Sequence, residues 1–196
     1  MVHRSRLIYV FLVATATLLT GSGTTPGATI NVPADQPTIQ AGIDAAVSGV
    51  DEVVVAPETY FEAINFNGKA ITVRSASGNP ADTIINGTGN FHVVLCVNSE
   101  TASTVLEGLT ITGGNANALD SPDRNGGGMY NENSSPTVTD TIFIANSTGS
   151  SGGGMYNKGA GATHTTPVVI GCRCVGNSAT QGGGMYNQWA DATVTN

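Results

Sequence analysis

Apolar and polar residues alternate over short stretches along most of this chain, with breaks at Gly, Asn, Asp and Ser. A period of two reads as a strand with one buried face. Thr29–Val32, Glu58–Phe66, Ala70–Arg74, Thr83–Ile85, Val93–Val97 and Val105–Ile111 are predicted strands on this ground. Asp51–Pro57 is a more continuous apolar run, as in a strand buried on both faces. One segment departs from the period of two. Ile39, Ile43, Ala46 and Val47 fall at i, i+4, i+7 and i+8, the single apolar stripe of a helix. Asp35 and Pro37 supply start signals and Ser48-Gly49 a stop, so a helix is expected over Pro37–Val47.

One hexapeptide, Gly-Gly-Gly-Met-Tyr-Asn, occurs at Gly126–Asn131, Gly152–Asn157 and Gly182–Asn187. Recurrence at a period of roughly 20–50 residues marks stacked repeats. More than the hexapeptide recurs. Pro136–Asn146 and Pro167–Asn177 run from Pro to Asn over the same length, and Thr104–Gly114 fits the template without the Pro or the Asn. In that register Leu109, Thr141 and Cys172 share one column, and Ile111, Phe143 and Cys174 another. A single β-coil cannot bury its apolar face, but coils stacked about 4.8 Å apart can. The expected columns are Met129/Met155/Met185, Tyr130/Tyr156/Tyr186 and Asn131/Asn157/Asn187. Alternation puts Met and Tyr on opposite faces, with Met turned inward and Tyr outward. The glycines suit bends that need positive φ or lack space for a side chain. The N-terminal helix is expected to cover one open end of the stack.

Composition sharpens this picture. The chain has 196 residues with 26 Gly, 11% charged and 40% hydrophobic residues, which suits one elongated β-domain. His3, Arg4 and Arg6 precede an apolar stretch, Leu7–Leu19, and then a run of small residues, so 1–28 reads as a secretory signal peptide with an unfixed cleavage position. The stretch is short for a membrane span, which needs about 20 residues. The chain is thus expected to be secreted, at the cell surface or at the outer membrane, with 29–196 as the β-domain. Export permits disulfides, yet the cysteines are three: Cys96, Cys172 and Cys174. Cys172 and Cys174 point the same way in a strand, either as small core residues or as a metal pair that lacks further ligands. Beyond the leader, five basic residues (Lys69, Arg74, Arg124, Lys158, Arg173) face 14 acids. That balance disfavours nucleic acid and polyanionic substrates.

The residues Pro33–Ala46, Val53–Glu62, Ile71–Arg74 and Thr83–Gly87 resemble the opening coils of pectin-lyase-like right-handed parallel β-helices, pectin methylesterases among them. The Gly-Gly-Gly-Met-Tyr-Asn units, with Phe143-Ile-Ala-Asn146, resemble the repeats of bacterial polymorphic outer-membrane proteins, which pair a Gly-Gly-Ala-type motif with Phe-x-x-Asn. Cys174-Val-Gly-Asn177 departs from that motif at the aromatic position. Together the resemblances span about Thr29 to the last residue. They imply an all-β fold, a right-handed parallel β-helix (solenoid) with a short N-terminal capping helix. They also admit lyases, hydrolases and esterases of acidic polysaccharides. The esterases carry paired Asp, Gln and an Arg on later coils, and no matching motif stands here.

Candidate chemistry is sparse. Asp120 and Asp123, beside Arg124 in the excursion Asn115–Asn125, could ligate a hard cation such as calcium, or serve as solvated turn formers. A second excursion, Lys158–Thr166, carries Lys158 and His164, and both excursions are expected at the same corner of the stack. His92 reads as a surface or stacked side chain, since no acid or nucleophile pattern accompanies it. Tyr130, Tyr156 and Tyr186, if exposed, make a flat strip able to stack on sugar rings; otherwise they are a structural stack. Ala192–Asn196 repeats the start of the strand at Pro136–Asp140, so the stack is expected to be truncated there or to self-associate through an open edge. The expectation is an exported, non-catalytic interaction or adhesion module with polysaccharide or cell-surface partners and no cofactor. The alternative is the N-terminal part of a carbohydrate-active enzyme.

Overall fold

The computed structural model describes residues 27–89, 91–118, 124–161 and 164–196. The leader at 1–28 falls almost wholly outside them. The chain opens with β1 (Thr29–Val32), α1 (Ile39–Ala45) and β2 (Glu52–Val55). β3 (Thr59–Tyr60), β4 (Ile64–Asn65), β5 (Thr72–Ser75), β6 (Ile84–Asn86) and β7 (Val94–Cys96) follow. Next come β8 (Val105–Glu107), β9 (Thr110–Thr112), β10 (Met129–Glu132), β11 (Thr137–Thr139) and β12 (Ile142–Ile144). The last strands are β13 (Met155–Lys158), β14 (Val168–Ile170), β15 (Arg173–Val175), β16 (Met185–Gln188) and β17 (Thr193–Thr195).

These strands form three parallel sheets. The first has the order β1-β2-β5-β8-β11-β14-β17, the second β3-β6-β9-β12-β15 and the third β4-β7-β10-β13-β16. After β2 the chain visits the second, third and first sheets in rotation, so each circuit lays one strand on each sheet. A parallel pair needs a connection that returns to the same end. Here the other two sheets supply that return. The core runs between the sheets. Val53, Val73, Leu106, Val138 and Val169 stack in register along the first sheet and are all buried. Phe143 lies between Ile111 and Cys174 on the second. On the third, the Met, Tyr and Asn columns pair like with like.

Two predicted strands are each two strands around a corner. Glu58–Phe66 contains β3 and β4, and Val105–Ile111 contains β8 and β9. Leu106 and Leu109 are both buried although three residues apart. A single flat strand would point them to opposite faces. The corner at Gly108, with φ of 66°, absorbs the odd residue. The helix is shorter than expected. Thr38 caps it through a bond from Ala41 N, and Glu62 accepts from Ile39 N and Gln40 N. Ala46 is already extended, so Val47 leaves the stripe and is 59% exposed. Lys69 Nζ donates to the carbonyls of Ile43, Asp44 and Ala46 and holds the other end of the helix. The helix packs on β1, β2 and β4, with Ile39 and Ile43 in the core.

The excursions do not share a corner, contrary to expectation. The first lies between β9 and β10, from the second sheet to the third. The second lies between β13 and β14, from the third sheet to the first. The hexapeptide decides this: one insertion precedes it and the other follows it.

Each glycine of the hexapeptide has its own reason. The first turns the chain at positive φ: Gly126 at 66°, Gly152 at 70°, Gly182 at 58°. The second has no space: a Cβ on Gly127 would sit 2.4 Å from Ser147 O. The third lies against the next circuit and its own Phe-x-x-Asn: a Cβ on Gly128 would meet Gly154 O at 2.5 Å and Phe143 Cδ1 at 3.0 Å. Overpacking of this kind costs about 1–3 kcal/mol. Gly128→Ala is therefore expected to lower stability by that amount in urea denaturation; a change inside about 0.5 kcal/mol, the range of ordinary surface substitutions, would refute the account.

Candidate functional site

In the extended Met-Tyr-Asn strands, neighbours face opposite ways. Met129 and Met155 enter the core, and Met185 packs against it. Tyr130, Tyr156 and Tyr186 stack on the other face, with ring centroids 5.6 and 5.8 Å apart and planes within 7° and 6°. His92 extends the stack, 5.0 Å from the Tyr130 ring, with Nδ1 2.9 Å from Gly126 O. Tyr130 donates to Glu132 and Tyr156 to Gln188, while Lys158 pairs with Glu132. This column is not an open strip. Tyr130 is 2% exposed and Tyr156 3%, and Tyr186 is half-buried. Each ring lies against its neighbours in the stack, and the glycine corner packs close beside the column: a Cβ on Gly152 would lie 2.8 Å from Tyr156 Cβ. Outward of the sheet is thus not in water here. The Tyr130 and Tyr156 rings, stacked and buried, serve the scaffold, and Tyr186 ends the column half-buried.

Asparagine also works inside. Asn131 Nδ2 donates to Asn157 Oδ1 at 2.7 Å, and Asn157 Nδ2 to Asn187 Oδ1 at 2.8 Å. Asn131 Oδ1, at the head of this ladder, is buried without a partner. In the second sheet's turn, Asn146 Nδ2 donates to Ile111 O and Asn177 Nδ2 to Phe143 O, each one circuit back. Glu100 was not singled out by the sequence. Its carboxylate is 2% exposed and accepts from Gly68 N, Asn98 N and Ser134 Oγ at 2.7–2.9 Å. A buried charge is tolerable only when bonded this fully. It ties three circuits together and offers nothing to a ligand.

The three cysteines are free thiols. Cys96 is in the core and burial pushes its thiol well above the ordinary value. Cys172 packs against the core, and burial raises its thiol to about 11. Cys174 is raised by burial as well, although its residue surface is largely open. Among the described residues no group of three or more His, Cys, Asp or Glu could hold a metal. Asp120 and Asp123 lie outside the described residues. A recess of about 290 Å³ near Val50, Asp51, Thr72 and Ser103 lacks converging ionisable groups beyond Asp51.

One exposed corner does gather chemistry. His164, on the second excursion, places Nδ1 2.9 Å from Asp191 Oδ2, between β16 and β17. Thr165 ties the corner to Trp189 as well: Thr165 N donates to Trp189 O, and Asp191 N donates to Thr165 O at 2.8 Å. Trp189 has φ of 50° and is 49% exposed. Its equivalents in the preceding circuits are Asn133, with φ of 52°, and Gly159. Asn133 suits the left-handed region, and Gly159 does not enter it, whereas most other L-residues lose about 1–2 kcal/mol there. The Thr165 hydroxyl is buried and has no partner. The sequence did name His164 and Lys158, but its periodicity could not bring Asp191 or Trp189 to them.

Among the described residues no helix is long and apolar enough to cross a membrane. Comparison with family models, with curated proteins and with solved structures finds no match for this chain.

Two outcomes follow from the packing. Tyr156→Ala removes a buried ring between two others and is expected to cost about 3–5 kcal/mol by urea denaturation; a loss under about 1 kcal/mol would mean that the ring is not held in a closed stack. Thiol alkylation of the native chain is expected to be slow at pH 8. With a thiol near 11, only about one Cys172 in a thousand is thiolate there, and the rate should climb as pH rises toward 11. A fast, pH-flat reaction at Cys172 by mass spectrometry would contradict it.

Proposed function

We propose that this chain is an exported right-handed parallel β-helix of the pectin-lyase-like kind, acting as a non-catalytic interaction or adhesion module at the cell surface or outside the cell. The carrying observation is how the repeat spends its residues. Met fills the core, Tyr stacks beside the glycine corner, and Asn bonds circuit to circuit. The hexapeptide is thus consumed by architecture, and variation is left to corners and outer faces, where such stacks present binding surfaces. The right-handed sense rests on the strong preference of parallel crossovers for that hand. The two motif resemblances support the fold and the outer-membrane-type repeats. The basic, then apolar, then small-residue start supports export.

The second reading, an N-terminal part of a carbohydrate-active enzyme, is favoured by one observation: His164 oriented by Asp191, the arrangement of a general base. Against it, no side chain that could serve as nucleophile or charge clamp is bonded to that imidazole among the described contacts. The chain's negative charge also opposes an acidic polysaccharide.

Purified chain is expected to co-sediment with bacterial envelopes or insoluble wall polysaccharide. The same preparation should release no unsaturated product from polygalacturonate, with or without calcium. Product above the enzyme-free rate would favour the enzyme; no co-sedimentation would refute the module.

A further inference from the structure

We propose that the corner between β16 and β17 binds a neutral sugar residue, with Trp189 as the stacking platform and the His164–Asp191 pair as the group that reads hydroxyls. This rests on the interaction-module reading and gives it a site. The buried Tyr130 and Tyr156 rings cannot play the part, whereas this corner is open: Trp189 is 49% exposed, and the His164 and Asp191 side chains 44% and 71%.

Three observations carry it. The first is strain. The chain places its single Trp at a left-handed corner, φ 50°, a conformation that an earlier circuit gives to Asn133. A bulky residue held there while half exposed is an outlier of the kind that gathers at ligand sites. The second is the pair. Asp191 only accepts, so neutral His164 carries its proton on Nδ1 and leaves Nε2 as an acceptor. With the second carboxylate oxygen this makes two acceptors for hydroxyl donors, at a corner whose backbone, through Thr165, also carries Trp189, and a half-exposed indole suits the apolar face of a pyranose. The third is fixity. His164 and Asp191 come from different circuits, and the two backbone bonds of Thr165, to Trp189 and Asp191, lock these circuits at the corner. The Thr165 hydroxyl beside them is buried and unpartnered, an omission that asks for an explanation in a folded protein.

The chemistry selects a neutral ligand. An acidic sugar meets Asp191 and an overall charge of −7. A quaternary ammonium is best held by a cage of several rings, and Trp189 is one ring with its neighbouring carboxylate already paired.

The single Trp makes the test direct, because indole fluorescence reports this corner and nothing else. The chain is titrated with neutral xylo-, cello-, manno- and galacto-oligosaccharides. At least one series is expected to change the emission saturably. By calorimetry, Trp189→Asn should weaken that binding at least tenfold. The same variant removes the backbone strain and should melt about 2–4 °C higher, which separates lost binding from lost folding. His164→Ala should weaken binding severalfold with the fold intact by circular dichroism. Unchanged affinity in Trp189→Asn would overturn the corner site while leaving the interaction module standing. No emission change with any series would also overturn it, and envelope co-sedimentation would then judge the module separately.

Discussion

Everything in this chain depends on the approach of one circuit to the next at the spacing of hydrogen-bonded strands, about 4.8 Å. At that distance a residue's environment is set mainly by its counterparts in the circuits on either side. Like residues tolerate this when their shapes nest: flat rings stack, amides bond head to tail, thioethers fill gaps. The glycine corner obeys the same constraint in its severest form, where even one carbon on Gly127 or Gly128 would collide with a neighbouring carbonyl. Composition follows from spacing. Bulky charged residues have little room in such columns, and the buried Glu100 persists only because three donors surround it, one from its own turn and one from the turn on either side.

The register was the legible part. The hexapeptide by its recurrence alone aligns Met155 with Met129 and Met185, and the spacing of Phe143 places it over Cys174. Less legible were the corners. Alternation continued through Val105–Ile111 because both strands of that corner turn aliphatic residues inward, and only the odd step from Leu106 to Leu109 betrays the bend. The helix lost its last turn for a local reason, the extended Ala46, that an apolar stripe does not encode.

The site was less readable than the fold. Face and exposure are separate properties, and alternation gives only the first. It put Tyr130 and Tyr156 on the face away from Met, but it did not encode that the stack from His92 to Tyr186 buries these two. Conversely, Trp189 stands in a column whose other members are Asn133 and Gly159, so the repeat gives no sign of it, and the His164–Asp191 pair joins residues 27 apart through two loops. Lys69 and Glu100 were invisible for the same reason: each binds backbone groups brought near by stacking, Lys69 at Ile43 O and Glu100 at Gly68 N, with no side-chain pattern to mark them.

The two excursions leave from different corners, one before the hexapeptide strand and one after it. In a stack whose columns fix the strands, an insertion at one corner leaves register at the other two untouched. Corners therefore vary as independent margins of one rigid ruler. A lineage of such chains can change what it holds at one margin, lengthen another, and add whole circuits, without renegotiating the packing that keeps the ruler straight.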